Sequence, residues 1–248
     1  MRLLLDLGNT RLKWALSGND GWLARGAVAW DENLPDLLST AWHGLPVPAA
    51  VLGASVVDEA REAMVAGQSA SLFGQAVAWL RTPAEACGVR NAYAEPRRLG
   101  VDRFLSMVAA RAAGDAPCVL VGVGTALTLD ALAADGRHLG GLIAPGPRLM
   151  QQSLLGATAK VRPERPGRIL DVADNTADAV SSGCWLAAVA LVERFAARMA
   201  GPLGGTPGMI LHGGDAGELV PLLTLPSRQV VDSVLRGLAV WANGATSA

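Results

Sequence analysis

Lysine is scarce: Lys13 and Lys160 are the two in a chain of 248 residues. Tyrosine occurs once, as Tyr93, and phenylalanine three times. Cysteine is limited to Cys87, Cys118 and Cys184. Each scarcity excludes something. With a net charge of −1 and arginines scattered rather than clustered, the sequence offers no basic face for nucleic acid. An odd set of cysteines without metal-ligand spacing points to reduced, mostly buried thiols and a cytoplasmic protein. Asp6 interrupts the N-terminus too early for the apolar core of a signal peptide. No apolar run approaches the roughly 20 residues that span a bilayer; the stretch from Cys184 to Val192 stops at Glu193. No membrane association is expected.

What the chain does hold is core material, with 51% hydrophobic and 17% charged residues. Its length fits one large domain or two of about 120 residues each. Strand-like and helix-like stretches alternate, which favours an α/β fold. Residues 2–30 read as two or three strands with turns near Gly8 and at 17–21, and residues 51–55 as another. A helix is expected from Ser55, with Asp58 and Glu59, to about Gly67. The apolar spacing at 104, 105, 108, 109 and 112 predicts a helix over 102–113. Gly114-Asp115-Ala116-Pro117 closes it, placing a domain boundary between 1–115 and 116–248. The second half is expected to hold strands over 118–133, a Gly/Pro-rich turn at 140–147, and helices at about 148–158, 175–200 and 227–243. The Pro- and Arg-rich stretch from Arg162 to Arg168 reads as a mobile loop.

Two segments share one pattern. Leu3-Leu4-Leu5-Asp6-Leu7-Gly8-Asn9-Thr10 runs into Leu12 to Leu16, and Val119-Leu120-Val121-Gly122-Val123-Gly124-Thr125-Ala126 into Leu127 to Ala131. Each is an apolar strand, a small Gly-containing turn and a returning strand. Such tips expose backbone N–H groups and short hydroxyls suited to phosphate oxygens. Two of them suggest a kinase-like grip on a polyphosphate.

Several local patterns carry chemistry beside a plainer reading. Asp6 offers a carboxylate for Mg²⁺, with Asn9, Thr10 and Lys13 for phosphate; an ordinary hairpin would also use Asp and Asn in its turn. Asp102, in Gly100-Val101-Asp102-Arg103, reads as a base for a hydroxyl proton with Arg103 holding an anion, or as a helix cap. Tyr93, in Asn91-Ala92-Tyr93, orients a substrate or sits at a rim. Asn175-Thr176-Ala177-Asp178 opens a helix, either as a cap or with Thr176 on substrate. Gly140 to Gly146 permits close backbone approach or is simply a loop. His212, before Gly213-Gly214-Asp215, reads as a packed strand-end residue.

Taken in order, these patterns closely resemble the type III pantothenate kinases. The series is Asp-x-Gly-Asn-Thr, Asn-x-Tyr, Gly-x-Asp-Arg, Gly-Thr-Ala-x-Thr, Gly-Gly-x-Ile-x-Pro-Gly, Asn-Thr-x-x-Ala and Gly-Gly-Asp-Ala, and it runs from residue 3 to about residue 242. The resemblance implies the acetate and sugar kinase/actin superfold, two ribonuclease-H-like domains flanking a nucleotide cleft. It implies ATP-dependent phosphorylation of pantothenate to 4'-phosphopantothenate, the first committed step towards coenzyme A. Asp102 would be the catalytic base, with Tyr93, Gly100, Val101, Asp102, Arg103 and Thr176 lining the pantothenate site. Asp6, Leu7, Gly8, Asn9, Thr10, Arg11, Leu12, Lys13 and Thr125 would meet ATP, with Mg²⁺ near Asp6. Gly213-Gly214-Asp215 would lie near the adenosine. Family members are homodimers, so a partner copy is expected near Thr176.

One departure stands out. Where the family pattern has an Asp that helps bind K⁺ or NH₄⁺, this chain has Gly122, so the monovalent-cation site is in doubt. Leu127 also stands where Thr is frequent. Two alternatives remain at the level of sequence: a non-catalytic transcription accessory protein on the same fold, and another small-molecule kinase of the superfold.

Overall fold

The computed structural model describes residues 1–19, 21–31 and 33–244. These form two compact units, Met1–Gly114 joined by the helix beginning at Ser233, and Asp115–Asp232. The first unit comprises β1 (Arg2–Leu7), β2 (Arg11–Gly18), β3 (Gly21–Ala29), α1 (Leu34–Trp42), β4 (Ala50–Ser55), α2 (Glu59–Phe73) and β5 (Val77–Trp79). A small hairpin, β6 (Glu85–Ala86) with β7 (Val89–Arg90), precedes α3 (Val101–Ala112). In the second unit lie β8 (Cys118–Val123), β9 (Ala126–Leu132), β10 (His138–Pro145), α4 (Pro147–Ala157), α5 (Thr176–Leu203), β11 (Gly208–His212), α6 (Ala216–Leu219) and β12 (Ser227–Gln229). The chain's last helix, α7 (Ser233–Gly244), belongs to the first unit.

The first sheet has the order β3-β2-β1-β4-β5, with β1 antiparallel to β2 and parallel to β4. Successive side chains of a strand face opposite ways. Leu3, Leu5 and Leu7 therefore meet Leu34, Leu38 and Trp42 of α1 and Val65 and Phe73 of α2. Leu4 joins Val101 and Leu105 of α3 and Val234, Leu235 and Leu238 of α7. Both faces are covered, which is why β1 reads as a nearly unbroken apolar run. Asp58, not Ser55, caps α2 by accepting the Arg61 N–H at 2.9 Å, so this helix starts later than expected.

The second sheet repeats the plan as β10-β9-β8-β11-β12, again antiparallel, antiparallel, parallel, parallel. The hairpins β1–β2 and β8–β9 thus hold equivalent places in two like sheets, in keeping with the sequence repeat. Val119, Val121, Val123, Leu127 and Leu129 pack with Trp185, Ala188, Val192 and Phe195 of α5. That helix is long and apolar enough to cross a bilayer although Glu193 interrupts it; half of its apolar window is buried in the protein.

Four expectations need correction. The terminal helix leaves the second half because Val234, Leu235 and Leu238 fill the face around Leu4 and Leu105. Residues 227–229 are a strand beside β11, and the helix begins only at Ser233. Residues 138–145 form an edge strand rather than a turn, a position that tolerates Gly140, Gly141 and Pro145. Arg162 to Arg168 is fastened instead of loose. Arg162 Nη1 donates to the carbonyls of Leu155, Thr158 and Val161 at 2.7, 2.6 and 2.9 Å, closing the end of α4.

Candidate active site

Asp6 lies half-buried near the end of β1, in register with Lys13 of β2 and Ala54 of β4. Gly8, Asn9 and Thr10 make the turn, closed by the Gly8 N–H donating to the Arg11 carbonyl at 3.2 Å. Asn9, Thr10 and Arg11 are exposed, whereas the Leu7 and Leu12 side chains are fully buried in the core. Those two leucines can meet a ligand only through their main chain. A single carboxylate at a strand end suits Mg²⁺, which one or two carboxylates usually hold together with phosphate oxygens. Among the described residues, no cluster of three or more His, Cys, Asp or Glu side chains could hold a metal by itself.

The second group opens α3. Gly100 is the N-cap and makes no side-chain capping bond, so Asp102 is the second helical residue and not a cap. A carboxylate there is favoured by the helix dipole. A Cβ on Gly100 would stand 2.6 Å from Asp102 Oδ1, so glycine leaves the carboxylate its room. Arg103 is 5% exposed and donates from Nη1 to Tyr93 Oη at 3.2 Å. Its Cζ lies 6.0 Å from the ring centroid. Asn91 sets Tyr93 in place: its Oδ1 accepts the Tyr93 N–H at 2.9 Å, and its Nδ2 donates to the Pro83 and Pro96 carbonyls. Val101 shares an apolar cluster with Ala54, the register neighbour of Asp6. Asp6 lies near the carboxyl end of β1, beside its parallel neighbour β4, and the carboxyl ends of parallel strands are the usual ligand end of an α/β sheet.

In the second unit, glycines brace the tip at Gly124-Thr125. The Gly146 N–H donates to the Thr125 carbonyl at 2.8 Å, and a Cβ on Gly146 would overlap the Gly124 carbonyl. Gly213, at φ +103°, lies so close to Val123 that a Cβ would overlap its carbonyl. Thr125 itself is exposed. Gly122 pairs in register with Thr128 and His212. A side chain at position 122 would overlap Thr128 Oγ1 and come within 3.1 Å of His212 Cε1. The space that a side chain at position 122 would need is thus taken by the Thr128 hydroxyl and the His212 ring. Arg148 bonds Asp215 at 2.8 Å and also pairs with Glu218; Asp215 first, and Glu218 after it, hold the Arg148 pKa above its ordinary value.

Thr176, exposed, is the first residue of α5, and the cap is Asn175, whose Oδ1 accepts the Asp178 N–H at 3.0 Å. The sequence names Asp178 within this motif but gives no sign of its role. Its side chain is fully buried and accepts from Arg165 Nη1 at 2.8 Å and Nη2 at 3.1 Å. The Arg168 N–H and Nη2 and the Asn175 Nδ2 add bonds at 2.8, 3.1 and 2.9 Å. The Arg165 guanidinium first, then Asn175 and Arg168, hold its carboxyl far below the usual range. Sequence reading missed Trp30: its Nε1 donates to the Gly8 carbonyl at 2.7 Å, and nothing local in sequence announces that contact. Burial pushes the Cys118 thiol up to about 12, as befits an inert core cysteine.

The family profile described as type III pantothenate kinase matches residues 2–198. A type III pantothenate kinase from Aromatoleum aromaticum is 41% identical over 98% of this chain and 98% of its own length. Another, from Xanthomonas campestris pv. campestris, is 43% identical over 96% of each chain. Among solved structures, the activator of 2-hydroxyisocaproyl-CoA dehydratase from Clostridium difficile, with bound ADPNP, aligns at a TM-score of 0.58 and 10% identity. That alignment covers 99% of this chain and 95% of the other, and at such low identity it bears on the fold alone.

Proposed function

Because the chain belongs to the type III pantothenate kinase family, we propose that it transfers the γ-phosphoryl group of ATP to the terminal hydroxyl of pantothenate. The product is 4'-phosphopantothenate, and the reaction opens coenzyme A biosynthesis. The observation that carries this reading is the family match over nearly the whole chain, joined to a carboxylate in the first turn of α3 beside a buried Arg103–Tyr93 pair.

Phosphoryl transfer asks mainly for alignment and for neutralisation of spreading negative charge. On the first unit, Asp6 to Lys13 meets the ATP phosphates by turn N–H groups, the Asn9 and Thr10 side chains and the Lys13 ammonium. Asp6 would hold Mg²⁺, which would supply charge neutralisation at the phosphates when bound. Asp102 accepts the hydroxyl proton, a role that needs only reach and an ionised state. Arg103, Tyr93, Gly100 and Val101 line the pantothenate side, with Arg103 suited to an anionic group. On the second unit, Thr125 meets phosphate, Thr176 meets pantothenate, and the Gly213-Gly214-Asp215 turn lies near adenosine. The same reading makes the protein a cytoplasmic homodimer that acts on two small molecules, with no nucleic acid or membrane partner. Gly122 argues for turnover without a monovalent cation. A transcription accessory role would place no demand on Asp6, Asp102 or Arg103, all of which are present.

The test is ADP release with pantothenate, with glucose and with no acceptor, with the product identified by mass. Release that needs pantothenate, together with a product one phosphate heavier than pantothenate, supports the reading. Equal release in all three reactions defeats it.

A further inference from the structure

The β2–β3 register pairs Arg11 with Ala29, so the next residue, Trp30, falls beside the Gly8-Asn9-Thr10 turn. Its indole Nε1 donates to the Gly8 carbonyl at 2.7 Å. Three things fix the ring. It packs against the apolar cluster of α1 and α2. Arg61 Cζ stands 5.2 Å above its centroid. Arg61 in turn sits in the first turn of α2, 3.4 Å from the Asp58 cap carboxylate. A peptide bond is planar and trans here, so its C=O and the following N–H point opposite ways. Drawing the Gly8 carbonyl towards the indole therefore aims the Asn9 N–H to the other side of the turn. The Gly8 N–H is already spent on Arg11, so the Asn9 N–H is the turn donor whose direction this contact decides.

We infer that Trp30 is a positioning residue for nucleotide binding, holding the Gly8–Asn9 peptide in the orientation that presents the Asn9 N–H to a phosphate oxygen. This rests on the reading of the Asp6–Lys13 turn as the phosphate-binding element. Without the indole N–H, the peptide is free to rotate and its carbonyl competes for the same side, repelling phosphate. Trp30 also lines a surface cavity of about 570 Å³ with Asp31, Asn33, Leu34, Arg61 and Met64.

Trp30→Phe retains an aromatic ring under Arg61 and removes the donor. With one net hydrogen bond lost, the KM for ATP should rise roughly 3- to 10-fold while the KM for pantothenate stays within about twofold. Replacing Trp30 with benzothienylalanine, a sulfur isostere of the same shape without the N–H, should give the same split should Trp30→Phe fold poorly. In the unaltered protein, the Trp30 indole N–H resonance should shift on adding Mg²⁺ and a non-hydrolysable ATP analogue, and hold still with pantothenate alone. Thr10→Val is run beside these variants. If Thr10→Val raises the KM for ATP and neither Trp30 replacement does, the inference is wrong and the turn assignment stands. If Thr10→Val and both Trp30 replacements leave it unchanged, the turn does not bind phosphate and both fall.

Discussion

Asp102 occupies the second position of α3 rather than its cap, so neutralising it leaves the helix start intact. Asp102→Asn should lower kcat by about 10²- to 10⁴-fold, the usual worth of a general base. The melting temperature should move only by the few degrees expected for losing a dipole contact of about 0.3–1 kcal/mol. Steady-state kinetics beside a thermal melt would check this, and near-normal turnover would remove Asp102 from the role. Gly122 leads to a second expectation. With Thr128 Oγ1 and the His212 ring occupying the space of a side chain there, activity in Na⁺ or Tris should lie within about twofold of that in K⁺, and strong activation by K⁺ would refute it. Both expectations come from residues that stand inside an ordered motif. Trp30 was not legible in the sequence, since its partner Gly8 lies 22 residues away in the chain and only the β2–β3 register brings the two together.

At the scale of elements, α5 shows how a helix start can organise the chain before it. Asp178 draws Arg165, Arg168 and Asn175 around one buried carboxylate. Gly167 lies so close to α5 that a Cβ would overlap the Ala177 carbonyl. The helix was visible in sequence because apolar residues recur along it. The fastening was not, because proline and arginine in a row look the same whether solvated or pinned to a buried acid. Because folding lowers the Asp178 pKa, its contribution is complete above the unfolded value of about 3.9 and is lost as pH falls below it. Asp178→Asn should therefore melt lower than the unaltered chain at pH 7, with the gap closing as pH drops below about 4. Thermal melts across that range decide the matter. A gap independent of pH would mean that Asp178 contributes by packing and neutral hydrogen bonds rather than by charge.

Across the whole molecule, two sheets of one topology were foreshadowed by the paired hairpins and by the break near residue 114, while the return of α7 to the first unit was not. Periodicity announces a helix and its apolar face, but not which of two similar sheets that face will cover. The choice follows from supply and demand of apolar surface: Leu4, Ala15 and Leu105 need a cover, and Val234, Leu235 and Leu238 provide it. Contact is closest at Gly237, where a Cβ would overlap the Leu105 carbonyl, and Ser106 and Ser233 share a buried hydrogen bond of 3.0 Å beside it. Gly237→Ala should thus cost about 1–3 kcal/mol through overpacking, lowering the melting temperature by roughly 2–12 °C. A chain ending at Asp232 should go further. Its first unit would expose the Leu4 face, bind a hydrophobic dye and lose its cooperative melt, while the second unit, whose own elements all lie within residues 115–232, keeps its transition. Scanning calorimetry of both proteins separates the outcomes, and an unchanged melt for Gly237→Ala with a fully cooperative truncated chain would show that α7 is dispensable to the first unit.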